Sequence, residues 1–135
     1  MNYKIIEIDG IGEVYAPKLH AEGIDTVEQL LDRCAGPDGR KELAEKTGIS
    51  EKLILTWTNH ADLFRVDGIG PQFADLLEAA GVDTVKELSS RVAANLAATV
   101  AEINEAQKLC GRVPAESEIQ RMIDQAKALK PRMTY

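Results

Sequence analysis

Residues 66–70 read Val-Asp-Gly-Ile-Gly, and residues 8–12 carry nearly the same phrase, Ile-Asp-Gly-Ile-Gly. A constant offset of 58 residues, 68 minus 10, aligns the two copies without a gap from position 8 to position 30, and 12 of the 23 aligned positions are identical. Such a repeat predicts one supersecondary unit used twice, because a solenoid needs about three repeats or more. We therefore expect two related units, over residues 1–63 and 64–135, packed as one compact body.

The rest of the sequence predicts helices and no sheet. The spacings Thr26-x-x-Gln29 and Thr84-x-x-Glu87 both fit a capping box, in which a threonine hydroxyl and a Gln or Glu side chain satisfy free amides at a helix start. Between the two copies, apolar residues recur three and four positions apart over residues 53–64, which indicates a long amphipathic helix. The expected fold class is all-α, an internally duplicated bundle of about eight helices.

The composition is that of an ordinary globular chain with an acidic balance. The chain has 135 residues, of which 44% are hydrophobic and 28% charged, and its formal net charge is −6. No apolar run approaches the roughly 18 residues of a membrane span, and residues 1–4 do not open a signal peptide, so we expect a cytoplasmic protein with no membrane partner. Cys34 and Cys110 flank no metal-binding spacing and are expected to be free thiols.

The acidic charge is divided unevenly along the chain. Residues 1–63 carry 7 basic and 12 acidic side chains, which gives −5, whereas residues 64–135 carry 9 and 10, which gives −1. Binding to nucleic acid draws on lysines and arginines that face phosphate. If either half contacts a polyanion, the second half is the better candidate.

Several residues that could carry chemistry have a structural explanation in this sequence. Asp25 and Asp83 each precede a predicted helix, where an acidic charge is favourable, so we interpret them as helix-terminal charges rather than catalytic carboxylates. Trp57 falls on the apolar stripe of the long helix, which favours a core role over a platform for stacking a base. His20 and His60 have no metal-spaced partner, and no Walker loop, nucleophile elbow or His-Glu-x-x-His motif is present. We expect no enzyme activity, metal or cofactor.

The Gly-Ile-Gly phrase itself suggests a chemistry. Two glycines around an apolar residue, followed at once by a helix, predict a sharp turn after which the first amides of the helix are unpaired. Those donors and the positive end of the helix dipole can hold a phosphate. The same turn can also be a purely architectural way to join two helices.

The second copy resembles the helix-hairpin-helix motif, since a long helix leads into the turn and a second helix follows it. Each half, a hairpin followed by Gly-Ile/Val-Asp-Thr-Val-x-x-Leu, looks like the paired helix-hairpin-helix domains of DNA repair proteins and the C-terminal domain of the bacterial RNA polymerase alpha subunit. Residues 4–129 are similar to a bacterial family of unknown function built from tandem helix-hairpin-helix units, through Gly-Ile-Gly at 10–12, Leu-Ala-x-x-Thr-Gly-Ile-Ser at 43–50 and the tryptophan at 57.

The wider motif implies sequence-independent contact between backbone amides and DNA phosphates, sometimes with a monovalent cation on the hairpin carbonyls. Transferred to this chain, the hairpin positions of the second copy are Gly68, Ile69, Gly70 and Gln72, and those of the first copy are Gly10, Gly12 and Val14. The basic residues nearest in sequence are Lys18, Arg65, Lys86 and Arg91.

The chain departs from DNA-binding hairpins in its charges. Such hairpins usually carry Lys or Arg just after the second glycine, whereas the first copy has Glu13 and the second has Pro71 and Gln72, and Asp9 and Asp67 lie beside the turns. A carboxylate near a docked phosphate weakens binding. Two hypotheses therefore stay open. One is a non-enzymatic module that binds DNA weakly and without sequence preference. The other is a protein interaction or scaffold module of the same fold.

Two further predictions concern local backbone structure. Gly70→Val should destabilise the fold or block formation of the hairpin if Gly70 occupies a positive φ or touches a neighbouring helix closely. The last three residues, 133–135, follow a helix-stopping Lys-Pro pair and are expected to be loose.

Overall fold

A computed structural model describes residues 3–135 and is helical in that range, with no strand or sheet. A 3-10 turn at Ile5–Glu7 and one isolated bridge between Lys4 and Thr26 precede the α-helices. Among residues 3–135, none of the helices has the length and apolarity needed to cross a bilayer. The all-α prediction is confirmed. The eight α-helices of the described residues are α1 (Ala16–Ala21), α2 (Val27–Cys34), α3 (Pro37–Thr47), α4 (Glu51–Leu63), α5 (Pro71–Ala79), α6 (Val85–Ser89), α7 (Ala93–Gln107) and α8 (Glu116–Ala128).

The chain divides into two compact units. The first consists of Met1–Asp62 together with Arg132–Tyr135, and the second of Leu63–Pro131. Met1 and Asn2, which belong to the predicted first unit and to the predicted absence of a signal peptide, lie outside the described residues. That the units pack as one compact body stays a prediction.

The core of the first unit is aliphatic around one tryptophan. Helices α2 and α3 pack against each other, and Trp57 of α4 is only 2% exposed, so its core role is confirmed and the stacking-platform alternative is wrong. Burying such a side chain stabilises a fold by about 1.5–3 kcal/mol. The other large side chains that are fully buried in this unit are Ile5, Ile8, Leu19, Ile24, Leu30, Leu31, Leu43 and Ile54.

The second unit is organised around its last helix. Both α6 and α7 pack against α8, and α5 packs against α7. The apolar face of α8 is buried, as the three- and four-residue spacing of its apolar positions predicts. The buried residues of that face are Ile119, Met122, Ile123 and Ala126.

The two copies of the repeated phrase have matching backbone geometry, each within its own unit. Gly10 and Gly68 have φ of +91° and +96°, the left-handed region that favours glycine. The following isoleucine donates its amide to the residue three positions earlier, at 3.1 Å in the first copy and 3.2 Å in the second. Gly70 has φ −104° and ψ −176°, an extended conformation open to any residue. The first of the two conditions proposed for Gly70, a positive φ, is therefore not met, because the first glycine of the phrase makes the sharp turn. The alternative condition, close contact with a neighbouring helix, stays a prediction.

The capped helix starts that follow the two glycine turns share one hydrogen bond. The hydroxyls of Thr26 and Thr84 accept the amides of Gln29 and Glu87, at 3.2 and 3.0 Å. In the first copy the Gln29 side chain also accepts the Thr26 amide at 3.0 Å, so the predicted capping box is confirmed there. In the second copy the described contacts form the Thr84 half of the box. Such a cap contributes about 1 kcal/mol to stability. Both free thiols are present as expected, with Cys34 buried and Cys110 half-buried.

The C-terminal segment differs from the sequence prediction. Thr134 donates its amide to the carbonyl of Ala35 at 2.8 Å, and the Tyr135 hydroxyl donates to Asn59 Oδ1 at 3.0 Å. The expectation of a loose tail is wrong, because these groups find partners on the first unit that are distant in sequence.

Candidate functional site

The glycine turns at residues 8–12 and 66–70 are called the first and second hairpin below. The second one presents an exposed turn held by a buried side chain. Gly68 is exposed and Ile69 is 2% exposed, and the Ile69 amide donates to the Val66 carbonyl at 3.2 Å. The isoleucine therefore holds the turn against the core of the second unit, while the glycine on one side of it remains at the surface.

The amides that follow the turn precede the first hydrogen bond within α5. That first bond runs from Ala74 N–H to the Gly70 carbonyl at 2.9 Å, and Pro71 has no N–H to give. Within the described residues, the amides of Gly70, Gln72 and Phe73 have no backbone acceptor. Phe73 is buried, which leaves the donors of Gly70 and Gln72 near the surface. Such donors at the positive end of a helix dipole suit an anion.

Helix α8 lies against this turn. The Asp67 amide donates to Gln125 Oε1 at 3.0 Å, and a Cβ placed on Gly68 would lie 3.0 Å from Met122 Cε. Arg121 is exposed and lies one helical turn before Gln125, on the same face of α8. Helix α8 thus carries an exposed cation one helical turn from the residue that bonds Asp67, whose own side chain is exposed.

The loop between α7 and α8 reaches the start of α5. The Gly111 amide donates to Gln72 Oε1 at 3.3 Å, and Lys108, exposed, ends α7 in a left-handed conformation with φ +52°. Arg112 is exposed and bonds both oxygens of Glu118 through its two terminal nitrogens. These bonds lower the pKa of the Glu118 carboxyl and raise that of the Arg112 guanidinium. Glu118 thus partly neutralises Arg112, the cation that an anion at this loop would otherwise meet.

The basic residues chosen for their nearness in sequence do not all contact the second hairpin. Arg65 Nη1 donates to the Lys130 carbonyl at 3.0 Å. Arg91 Nη2 donates to the Gly81 carbonyl at 3.1 Å, at the far end of α5 from Gly70 and about 13 Å away by helix rise. Lys86 is exposed on α6, and no described hydrogen bond or ion pair joins it to the hairpin. Arg91 therefore lies at the opposite end of α5 from the amides of Gly70 and Gln72.

The first hairpin is built on Trp57. A Cβ on Gly10 would lie 3.5 Å from Trp57 Nε1, whereas one on Gly12 would meet nothing within 4 Å. Tyr15 packs against the tryptophan with ring centroids 5.2 Å apart. Val14, just before Tyr15, is 69% exposed.

The surface charge at the first hairpin is mainly negative. Asp9 and Glu13 are exposed on either side of the glycines, and Lys18 is the exposed cation of α1. An anion would meet two carboxylates here before it met the lysine.

Sequence reasoning did not single out Lys108, Arg112 and Arg121, which belong to elements that contact the second turn. These residues come from a loop and a helix that lie 38 or more residues beyond Gly70 in the chain. The one signal in the sequence was the lower acidic excess of the second half, which indicates no particular residue.

Fold and site together define an all-helical protein of two units, each carrying a glycine turn that opens a helix. A family model described as a domain of unknown function (DUF4332) matches residues 9–129. The chain belongs to that family. Comparison with curated proteins and with solved structures found no match.

Proposed function

We propose that the protein is a non-enzymatic helix-hairpin-helix module whose second hairpin binds the phosphate backbone of nucleic acid weakly and without sequence preference. One observation carries this proposal. The surface amides of Gly70 and Gln72 lack backbone acceptors, and the cations Lys108, Arg112 and Arg121 come from elements that hydrogen-bond or pack against the same turn. The matching geometry of the two turns supports the view that both are copies of one hairpin.

The charges around the second hairpin set the expected strength of binding. Three cations are opposed by Asp67 and Glu118, and Glu118 already engages Arg112. Contact with about two phosphates would give an affinity in the non-specific range, roughly 10⁻⁴ to 10⁻⁶ M, and about a tenfold loss between 50 and 200 mM salt.

A single isosteric substitution tests the amide donors. Gln72→Glu keeps an oxygen that accepts the Gly111 amide but adds a negative charge within the first turn of α5. The helix dipole stabilises a negative charge at this position, so the substitution does not weaken the helix. We expect the affinity for a labelled 20-base-pair duplex, measured by fluorescence anisotropy at about 50 mM salt, to fall at least about tenfold. The matched control is Gln29→Glu, the same change in the first turn of α2, which should bind like the parent.

The cations are tested by charge reversal. Arg121→Glu should weaken duplex binding and reduce its salt dependence, whereas Lys86→Glu, an equal change in the same unit, should alter binding much less. If the two variants weaken binding equally, binding depends on the overall charge of the unit and not on a site at the second hairpin. If Gln72→Glu binds like the parent, the amides at the start of α5 do not contact the phosphate.

The first hairpin favours a second candidate function, a protein interaction module. Its exposed Asp9 and Glu13 disfavour phosphate, and the exposed side chain of Val14 offers apolar contact area beside them. If the parent protein shows no duplex binding even at 50 mM salt, the nucleic-acid proposal fails for both hairpins. This second function would then be the one to pursue.

A further inference from the structure

The segment Arg132–Tyr135 is docked on the first unit by its backbone. The Thr134 amide donates to the Ala35 carbonyl at 2.8 Å, and the Thr134 carbonyl accepts from Arg40 Nη2 at 2.7 Å. Both polar backbone groups of one residue are therefore used, while the Thr134 side chain is exposed. Recognition of this kind depends on the backbone groups of Thr134 rather than on its side chain.

Two side chains of the segment, three positions apart, make specific contacts. Arg132 Nη2 lies 2.5 Å from Asp32 Oδ1. The Tyr135 hydroxyl donates to Asn59 Oδ1 at 3.0 Å, and the Tyr135 ring lies under the Arg40 guanidinium at 5.7 Å. The first unit thus contacts an arginine and a tyrosine that are separated by two residues.

Arg40 is what makes this surface a recognition site. It is 5% exposed, and its guanidinium donates to the carbonyls of Cys34 at 3.0 Å and Ala35 at 3.1 Å as well as to that of Thr134. A buried charged group is costly unless its donors are satisfied. When the segment leaves, Arg40 loses one acceptor and an aromatic ring that favours its charge. The surface therefore favours an occupant that supplies a backbone carbonyl and an aromatic ring.

We propose that the first unit carries a docking site for a non-helical peptide of the form Arg-x-x-Tyr, lined by Asp32, Ala35, Arg40 and Asn59. The chain's own residues 132–135 occupy this site in cis. A partner protein with a non-helical segment of the same chemistry binds by displacing them. The proposal does not depend on nucleic-acid binding.

The way the segment is held favours exchange. It has no helix of its own, and Tyr135 is 67% exposed although its hydroxyl and ring are engaged. Such surface segments belong to the least stable part of a fold and open locally. A tethered segment competes with free peptide at an effective concentration on the order of millimolar, so a partner gains access when its affinity or local concentration exceeds that competition.

The experiment uses the full chain and a fluorescein-labelled peptide of residues 129–135, Leu-Lys-Pro-Arg-Met-Thr-Tyr. The combined substitutions Arg132→Ala and Tyr135→Ala weaken the segment in cis and leave the docking surface intact. We expect this weakened chain to bind the peptide on the order of tenfold more tightly than the parent, whose site is occupied. Circular dichroism and thermal unfolding confirm that the weakened chain is folded, and Tyr135→Ala alone serves if it is not.

Specificity is tested by charge exchange. Adding Asp32→Arg to the weakened chain should abolish binding of the labelled peptide, and a peptide carrying Arg132→Asp should restore it. Asp32 is exposed, so this change does not disturb the core. Equal binding by the parent and the weakened chain would overturn the proposal. So would equal binding of peptides with and without the arginine and the tyrosine.

Discussion

The positive φ of Gly10 allows a matched test of the hairpin geometry. Gly10 has φ +91°, and a Cβ there would make only an ordinary contact with Trp57 Nε1 at 3.5 Å. Gly12, two residues later, has no positive φ, and a Cβ there would meet nothing within 4 Å. Alanine at these two positions therefore differs in backbone strain and in little else. Gly68 is less suitable, because its Cβ would also displace Met122 at 3.0 Å.

The magnitude follows from two opposing terms. An L-residue in the left-handed region costs about 1–2 kcal/mol. Replacing glycine by alanine lowers the entropy of the unfolded chain and stabilises by about 0.4–1 kcal/mol at both positions. Gly12→Ala should therefore stabilise slightly, and Gly10→Ala should destabilise by up to about 1.5 kcal/mol. The shared unfolded-state term cancels in the difference between the variants, which should be about 1–2 kcal/mol.

Urea denaturation measures this difference, with Trp57 as a fluorescent reporter within the first unit. The denaturation midpoints of the two variants should differ by about 1 M or more, if the slope is about 1 kcal/mol per M as for a small unit. Circular dichroism gives a second probe of the same transition. Equal midpoints for Gly10→Ala and Gly12→Ala would refute the claim that the turn requires a left-handed residue.

Two further predictions concern ionisable groups. Burial raises the pKa of the Cys34 thiol to about 11. At pH 8 a disulfide reagent should therefore modify Cys110 quickly and Cys34 only after unfolding. Equal reaction rates of the two thiols would contradict the burial of Cys34. Desolvation first, and a hydrogen bond with Asp83 second, raise the pKa of Glu87. The charged form of Glu87 is thus destabilised in the folded state. Because the folded pKa lies above the ordinary value of 4.5, the stability that Glu87 contributes is present at low pH and is lost as the pH rises through the folded pKa. Glu87→Gln, which copies Gln29 of the first capping box, should stabilise at pH 7 and flatten the dependence of unfolding free energy on pH between 4 and 7; an unchanged slope would contradict this.

Sequence patterns predicted the local parts of the candidate site and failed on its surroundings. The turn, the buried isoleucine and the capped helix were predictable because each depends on residues within about four positions. The positive φ considered for Gly70 belongs to Gly68 instead, since two glycines so close together do not reveal which of them makes the turn. Arg91 was chosen for its nearness in sequence, and α5 separates it from Gly70.

What the sequence by itself determined is the all-helical fold, the repeated glycine turn and the capping of the helices that follow it. These features arise from periodicity, backbone conformation and short-range hydrogen bonds, all of which are written locally in the chain. Only the tertiary structure decided that the α7–α8 loop and α8 contact the second turn, and that the last residues dock on Arg40. The contacts responsible join Gln72 to Gly111 and Arg40 to Thr134, across 39 and 94 residues. Exposed polar residues follow no apolar period, so their partners appear only once helix packing brings distant segments together.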